Sequence, residues 1–472
     1  MSKQVVDKPE KTTRPHSRAG WIIGLLFAAN LLNFYDRAIP AVLLDQIEQA
    51  FGINDAQAGL LASAFVIVAA LTVIPLGYLA DRIARKTVVG WGLLIWSVFT
   101  AVGGVFSSFW VFFGSRVGVG VGEAAYDPAA GSLMADLYPT EKRARANSWF
   151  QLGFPIGTML AYFTVGAVAV AFGSWRAPFL IAAVPGIIIA ILVFRIREPK
   201  RGATDAVAIA AAEPLTGAGP TSATTDSAVG AGATARPTVA AKRASIWSVL
   251  RIRSMYGLII AFAGYNFAAY AIGTFLTPVL QRYYGLDLVS AAAVSGVVIG
   301  IGGLIGLLLG GWVTDRVAKT SIARRVMVAA VCLLVAAPLA YIGLSASSSV
   351  LGQLVLFLAL SYLLGMFYLA AAVPVVSDVV GAKQRSSALG VVFAIGYVIG
   401  GAGGPVVVGA LSDSFAKGAT NLSDSAASAY GLQTAMMIAV PIAFIVAAIG
   451  MFVTSRTVKS DRERMLAAEA VA

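Results

Sequence analysis

Arg116-Val-Gly-Val-Gly-Val-Gly-Glu123-Ala-Ala-Tyr-Asp127-Pro128 lies inside an apolar segment that runs from about 109 to 138. That length crosses a bilayer, whose hydrocarbon core takes about 20 residues of helix. An arginine, a glutamate and an aspartate at membrane depth are expensive, so they mark a functional pathway by default. Arg116 and Glu123 are seven residues apart, two helical turns, and share a face, with Asp127 close to it. Gly118, Gly120 and Gly122 let neighbouring backbones approach. Pro128 removes a backbone N–H and frees the carbonyl of Ala124. The stretch reads as a bent, charged helix that faces something other than lipid.

The rest of the chain agrees with that environment. Of its 472 residues 58% are hydrophobic and 12% charged, with a mean hydropathy of +0.82. A soluble domain carries roughly a quarter charged residues. Apolar segments of spanning length fall at about 21–44, 57–80, 87–107, 109–138, 146–171 and 177–195. A second six follow at 255–281, 289–313, 326–345, 350–380, 388–411 and 431–454. This predicts an all-α membrane protein of twelve transmembrane helices in two six-helix bundles, 21–195 and 255–454. An N-terminal tail (1–20), a linker (196–254) and a C-terminal tail (455–472) complete the chain. The linker is rich in Ala, Thr, Gly and Pro and reads as flexible, with Ile246–Arg253 as an interfacial helix feeding the seventh span. The first apolar run is too long for a signal peptide and is expected to stay as a helix.

The formal charge of +12 is topological. Thirty of the 35 Lys and Arg fall on the side of the two tails and the linker, three on the other side, and Arg37 and Arg116 within spans. The excess places both termini in the cytoplasm, and nucleic acid is not needed to explain it. Cys332 alone allows no internal disulfide and no cysteine metal site. The single histidine, His16, lies in the N-terminal tail, so no histidine relay exists in the membrane. No nucleophile–base pair is credible either, which argues against an enzyme. The Gly-Val-Gly-Val-Gly run follows no strand and so is packing, not a nucleotide loop. Gly400–Pro405 and Phe154–Gly157 read as bending and packing sites, and the Asn421 sequon as incidental.

The halves repeat. Gly77-Tyr-Leu-Ala-Asp81-Arg82-Ile-Ala-Arg85-Lys86 corresponds to Gly311-Trp-Val-Thr-Asp315-Arg316-Val-Ala-Lys319, offset by 234. Asp136 with Arg143 corresponds to Asp378 with Arg385, offset by 242. Both pairs face the same side, so the repeat is a parallel duplication, a pattern suited to alternating-access transport and not to a passive channel.

With these residues in view, the chain resembles the major facilitator superfamily over its full length. Gly77–Lys86 is similar to that superfamily's signature between helices 2 and 3, except that Ala84 stands where glycine is usual. More narrowly it resembles a bacterial member of the spinster family of lysolipid and sphingolipid transporters. The carrying residues are Asn33-Phe-Tyr-Asp36-Arg37, Ile47-Glu48-Gln49-Ala-Phe51 with Gly59-Leu60, Gly77-Tyr78-Leu79 with Asp81-Arg82, and Arg116 through Gly122-Glu123-Ala124. Organic-anion symporters of the superfamily share parts of this pattern. The resemblance implies proton-linked movement of an anionic amphiphile, with Asp36, Arg116 and Glu123 at the family's coupling positions.

Depth along the helices supports the same constellation. Asp36 and Arg116 can meet at one level of the outer half, with Glu123 about 10 Å deeper, near the midplane. Arg37 is rotated about 100° from Asp36, so the adjacent pair cannot face one partner. The bland alternative is a static salt bridge between helices 1 and 4. In the sharper reading Asp36 and Glu123 exchange protons and Arg116 moves between carboxylate and substrate anion. Asp127 is expected near the inner surface.

Asp81, Arg82, Arg85, Lys86, Asp136, Arg143, Asp315 and Arg316 are expected to form a cytoplasmic gate. On the second half, Asn266, Tyr270 and Thr274 at i, i+4, i+8 form a mildly polar wall, beside Tyr256, Tyr265, Tyr362, Phe367 and Tyr368 as packing aromatics. The expected substrate contacts are Arg116, Glu123, Arg37, Asn266, Tyr270 and Thr274, a charged wall opposite an apolar one, as suits an amphiphile. The chain is expected to act as a monomer in the inner membrane, with lipid bilayer and a small-molecule or lysolipid substrate as partners and no cofactor or metal beyond the coupling proton. The alternatives are a symporter of small organic anions and a drug/proton antiporter.

Overall fold

The computed structural model describes residues 15–138, 140–199, 251–381 and 385–471. Among them the chain is helical. The first half comprises α1 (Pro15–Val42), α2 (Asp55–Arg82), α3 (Arg85–Val105), α4 (Phe109–Leu137), α5 (Thr140–Gln151 continued by Gly153–Ala171) and α6 (Ala177–Arg195). The second half comprises α7 (Arg253–Arg282), α8 (Leu288–Ser295, a π-helical turn Gly296–Ile301, then Gly302–Ala318) and α9 (Ile322–Leu344). It continues with α10 (Leu351–Asp378), α11 (Arg385–Gly396, a π-helical turn Tyr397–Gly401, then Gly403–Gly418) and α12 (Asp424–Val471). A short helix, Leu44–Phe51, joins α1 to α2 and ends on Gly52 at φ +63°.

Eleven of the twelve are long and apolar enough to cross a membrane. The remaining one is α4: it has the length, and Arg116, Glu123, Asp127 and Asp136 account for its lower hydropathy. Hydrocarbon offers no partner for a free N–H or C=O, so apolar runs of this length satisfy their backbone internally, as helices. Where the chain turns, local chemistry stops them. Asn54 accepts from Gln57 N at 2.9 Å and Gln57 returns the contact to Asn54 N at 3.1 Å, a capping box at the start of α2.

The packing pattern of the first half repeats in the second with a shift of six. α1 packs on α5, α2 on α4, α3 on α4 and on α6; α7 packs on α11, α8 on α10, α9 on α10 and on α12. Proline recurs in equivalent helices, at Pro40 and Pro278, Pro128 and Pro374, and Pro185 and Pro441. The halves meet along α2 with α11, α5 with α8, and α1 with α7. This is the expected parallel duplication. The face carrying the described chain ends is termed proximal and the opposite face distal.

The glycines of α4 work as expected. A Cβ on Gly122 would fall 2.7 Å from the Gly92 carbonyl oxygen and the Trp96 nitrogen of α3, and one on Gly120 3.0 Å from the Phe65 carbonyl of α2. α4 is thereby held between α2 and α3, which fixes how far Arg116 and Glu123 reach.

Two segments differ from expectation. α12 continues as helix through most of the expected tail, and Asp461 Oδ2 accepts from Ser254 N at 2.8 Å and Ser254 Oγ at 2.6 Å, capping the start of α7. The expected interfacial helix Ile246–Arg253 falls mostly on residues outside the described ones, as do most of the linker and the first fourteen residues.

Candidate transport site and its gates

A cavity of about 580 Å³ lies between the halves. One wall carries Asp36, Arg37 and Arg116; the other carries Asn266, Tyr270 and Thr274, with Tyr265, Tyr362, Phe393 and Tyr397 around them. The i, i+4, i+8 expectation for α7 therefore holds geometrically. Tyr256 is exposed, and Phe367 and Tyr368 are buried away from the cavity lining. Apolar side chains such as Phe34, Phe65, Phe154 and Leu369 make up most of the remaining surface.

The charged wall is wired differently from the sequence expectation. Arg37, and not Arg116, holds a carboxylate: its Nε donates to Glu123 Oε2 at 2.6 Å. Glu123 is fully buried behind Arg37 and does not line the cavity. Arg37 also stacks over Phe34 at 4.7 Å and Phe65 at 5.1 Å. Arg116 lies over Phe179 at 5.1 Å and Phe112 at 5.6 Å, and no ion pair joins it to Asp36 among the described residues. Asp36 Oδ2 accepts instead from Thr100 Oγ1 at 3.4 Å. The helical rotation that keeps Asp36 and Arg37 from one partner is real. It assigns the arginine of α1 to the glutamate of α4. Asp127 is exposed and within electrostatic range of Arg37.

At the proximal face the expected gate residues brace their own halves. Arg85 is buried, bonded to Asp136 and to Glu198 (3.0 Å), and donates to the Ser132 and Pro199 carbonyls at 3.1 Å. Lys86 Nζ donates to the Ile196 carbonyl at 3.0 Å, and Arg143 Nε to those of Ala135 and Tyr138. Although burial opposes it, the Arg85 side chain and the N–H groups of Arg85 and Lys86 hold the Glu198 carboxyl below its ordinary range. In the second half Arg325 takes the place of Arg85, 3.0 Å from Asp315 and 3.8 Å from Asp378. Arg316 stacks over Trp312 at 3.9 Å, and Arg82 is exposed. Asp81 ends α2, and its side chain is outside the described set.

This asymmetry predicts unequal mutants. Arg85→Ala strands two carboxylates in a buried site, a change worth about 3 kcal/mol. Spread over the unfolding entropy of 472 residues, this should lower the thermal midpoint in detergent by roughly 3 °C. Arg325→Ala should move it little, because Asp315 is 74% exposed and the pair is a surface bridge. Equal shifts would contradict the assignment.

The distal face holds an ion cluster that joins the halves. Arg282, at the end of α7, donates to Asp45 (Nε, 2.7 Å), Glu48 (Nη2, 2.5 Å) and Asp55 (Nη1, 2.8 Å) of the first half. Asp55 also accepts from Ser412 Oγ at 2.5 Å, and Asp413 from the Ala56 N–H at 3.1 Å. Arg282 is one of the three Lys and Arg counted above on the side away from the tails, and Glu48 was expected only as part of a family pattern. The available signal was three acids within eleven residues beside one end of the first span, in a chain with 23 acids in all.

Burial, reinforced by Asp55 and Asp45 and opposed by Arg282, pushes the Glu48 carboxyl up to about 9 from an ordinary 4.5. Asp45 is raised for the same first reason. A carboxyl that holds its proton more tightly in the latched form stabilises that form in acid. The contribution is complete below about pH 4.5 and is lost as pH rises through about 9. Spin labels at Ala50→Cys and Asn421→Cys, in a Cys332→Ala background, should therefore report distal separation at alkaline pH and closure in acid. Glu48→Gln should flatten the response, and an unchanged response in that variant would refute the role of Glu48.

The sequence profile of the Major Facilitator Superfamily matches residues 26–357. The chain belongs to the major facilitator superfamily. It is a multi-pass membrane transporter, not an enzyme, and among superfamily members it resembles the spinster proteins. Protein spinster homolog 3 of Danio rerio is 28% identical over 96% of this chain and 88% of its own length. An MFS-type efflux pump of Mycolicibacterium smegmatis is 28% identical over 84% of this chain and 85% of its own. In fold, a bacterial homologue of the human lysosomal transporter spinster, crystallised inward-facing and unoccupied, superposes with a TM-score of 0.77 at 24% identity. That match covers 94% of this chain and 98% of the other. For a superfamily protein the informative feature is the distribution of charge. Asp36, Arg37, Arg116 and Glu123 all belong to one half, and the other half contributes the cavity's neutral polar and aromatic wall.

Proposed function

We propose that the protein is a proton-coupled secondary transporter of an anionic amphiphile, a lysophospholipid or sphingolipid-like molecule, working by alternating access. The observation that carries this reading is the cavity itself. Arg37 and Arg116 reach it from one wall, Arg116 has no carboxylate partner among the described residues, and most of the rest is apolar and aromatic. An arginine that no carboxylate holds in an ion pair, in a low-dielectric site, recruits an anionic headgroup, and a greasy wall receives a tail.

In the cycle, Arg116 captures the anion and Arg37 exchanges Glu123 for it once Glu123 takes a proton. The single chain is the transporting unit, with the proton as coupling ion and no cofactor. The positive charge of the tails and linker supports placing the proximal face in the cytoplasm, in the inner membrane. The cavity continues toward that face past Gln151, Thr158 and Val373, while Arg282 latches the distal one.

The test is proton flux into proteoliposomes on adding oleoyl-lysophosphatidylglycerol, compared with small carboxylates and with a cationic dye. Flux with the lysolipid alone is expected. Flux with the carboxylates alone would turn the reading to small-anion symport, and with the dye alone to drug efflux.

A further inference from the structure

Behind the cavity wall, the first half holds buried polar atoms that this cycle leaves unused. Asn33 on α1 is 1% exposed, and neither its Oδ1 nor its Nδ2 has a hydrogen-bond partner. It sits three and four residues before Asp36 and Arg37, which places it between the two in helical rotation, next to each. Its side chain reaches the Glu123 carboxyl closely enough to interact with it, short of a well-formed hydrogen bond. Asp36 Oδ1, Glu123 Oε1 and Trp96 Nε1 are buried and unpartnered in the same way, and the Trp96 indole faces Asp36. Three helices supply the group: α1, α3 through Trp96 and Thr100, and α4 through Glu123. Buried donors and acceptors at this density take ordered water, which is typically held by about three hydrogen bonds.

We infer that Asn33 positions an ordered water between Asp36 and Glu123, so that protons pass from Asp36, at the cavity wall, through the interior of the first half to Glu123. The inference rests on the proposed exchange of protons between these two carboxyls. In the transfer, the Asp36 O–H gives its proton to the water as the water gives one of its own to Glu123 Oε1. Asp36 ends as a carboxylate, Glu123 as a carboxylic acid, and the water is unchanged. Asn33 gains and loses nothing: its Nδ2–H donates to, and its Oδ1 accepts from, the water and the flanking carboxyls. Neutral Glu123 then no longer pairs with Arg37, whose guanidinium turns to the anion. Arg116, Asp127, Tyr35, Tyr270 and Tyr397 are the other charged or titratable groups facing this set. Proton and substrate thus communicate through Arg37.

The test compares Asn33→Leu, similar in volume and unable to hold water, with Asn33→Ser, which keeps a hydroxyl and leaves room for a second water. Two readouts are made in proteoliposomes with oleoyl-lysophosphatidylglycerol: exchange without a proton gradient, and gradient-driven uptake. Asn33→Leu should exchange within about twofold of the native protein and lose roughly 90% or more of driven uptake, a barrier rise of one tenfold step. Asn33→Ser should keep at least about a third of it. Native-level driven uptake in Asn33→Leu would overturn the water route alone. Equal losses of exchange and uptake in both variants would also overturn it, by making Asn33 a packing residue. A native protein without proton-linked uptake would overturn the proposed function, and the route with it.

Discussion

Arg282→Gln is expected to open the distal side of the protein. Arg282 is the one cation shared by Asp45, Glu48 and Asp55 at the seam between the halves, and its side chain is 14% exposed. Removing one partner of a buried charge pair costs about 3–5 kcal/mol, because the remaining charges stay desolvated. Separation of the halves hydrates those carboxylates, so the cost falls on the latched state and shifts the balance by roughly a hundredfold to a few thousandfold. Labels at positions 50 and 421 should move from a single short distance to a long one, and the pH response assigned to Glu48 should vanish. Arg282→Lys should recover part of the latch, since an ammonium keeps the charge without the fork. A native-like distance distribution in Arg282→Gln would remove the cluster from the gating scheme.

The second large effect is expected of Glu123→Gln. Glutamine is nearly isosteric and keeps an acceptor for Arg37, yet it carries no charge and accepts no proton. The guanidinium is released toward the cavity, which should tighten anion binding by roughly tenfold, a typical charge-assisted contribution. Proton-driven uptake should disappear while exchange continues. Tighter binding together with lost uptake is the signature of uncoupling; weaker binding with lost uptake would indicate a scaffold role. Asp36→Asn should lose uptake with a smaller gain in binding, because Asp36 is bonded to Thr100 and acts on Arg116 only at a distance.

The fold was legible because the bilayer imposes a length on each apolar run, and twelve such runs with a one-sided charge excess leave little freedom. Even α4, whose charges set it apart from the other spans, was readable from its length and glycines. Charged residues inside spans were legible for the same reason: each is a costly exception. Their pairing was not. Which of Asp36 and Arg37 turns toward α4 depends on the rotation of α1 about its axis, which is fixed by contacts such as that of Gly157 with Leu31. Depth along a helix can be counted from sequence; rotation cannot. The distal latch was illegible for another reason, since 237 residues separate Asp45 from Arg282 and nothing local records their meeting. Arg325 had a visible signal in the Arg-Arg pair after Asp315, and Asn33 in its place one turn before two charged residues.

Among the described residues the π-helical turns belong to α8 and α11, and each lies on a seam. Gly296 and Gly300 meet Tyr162 and Met159 of α5, and Gly401 meets Val66 of α2. A π-turn is an irregularity set inside an α-helix, and such turns are frequent at functional sites. No such turn occurs in α2 or α5. The described π-turns therefore belong to one partner only: the half that carries the greasy wall places its irregular backbone against the half that carries the charges, where a rocking of the two halves would need give.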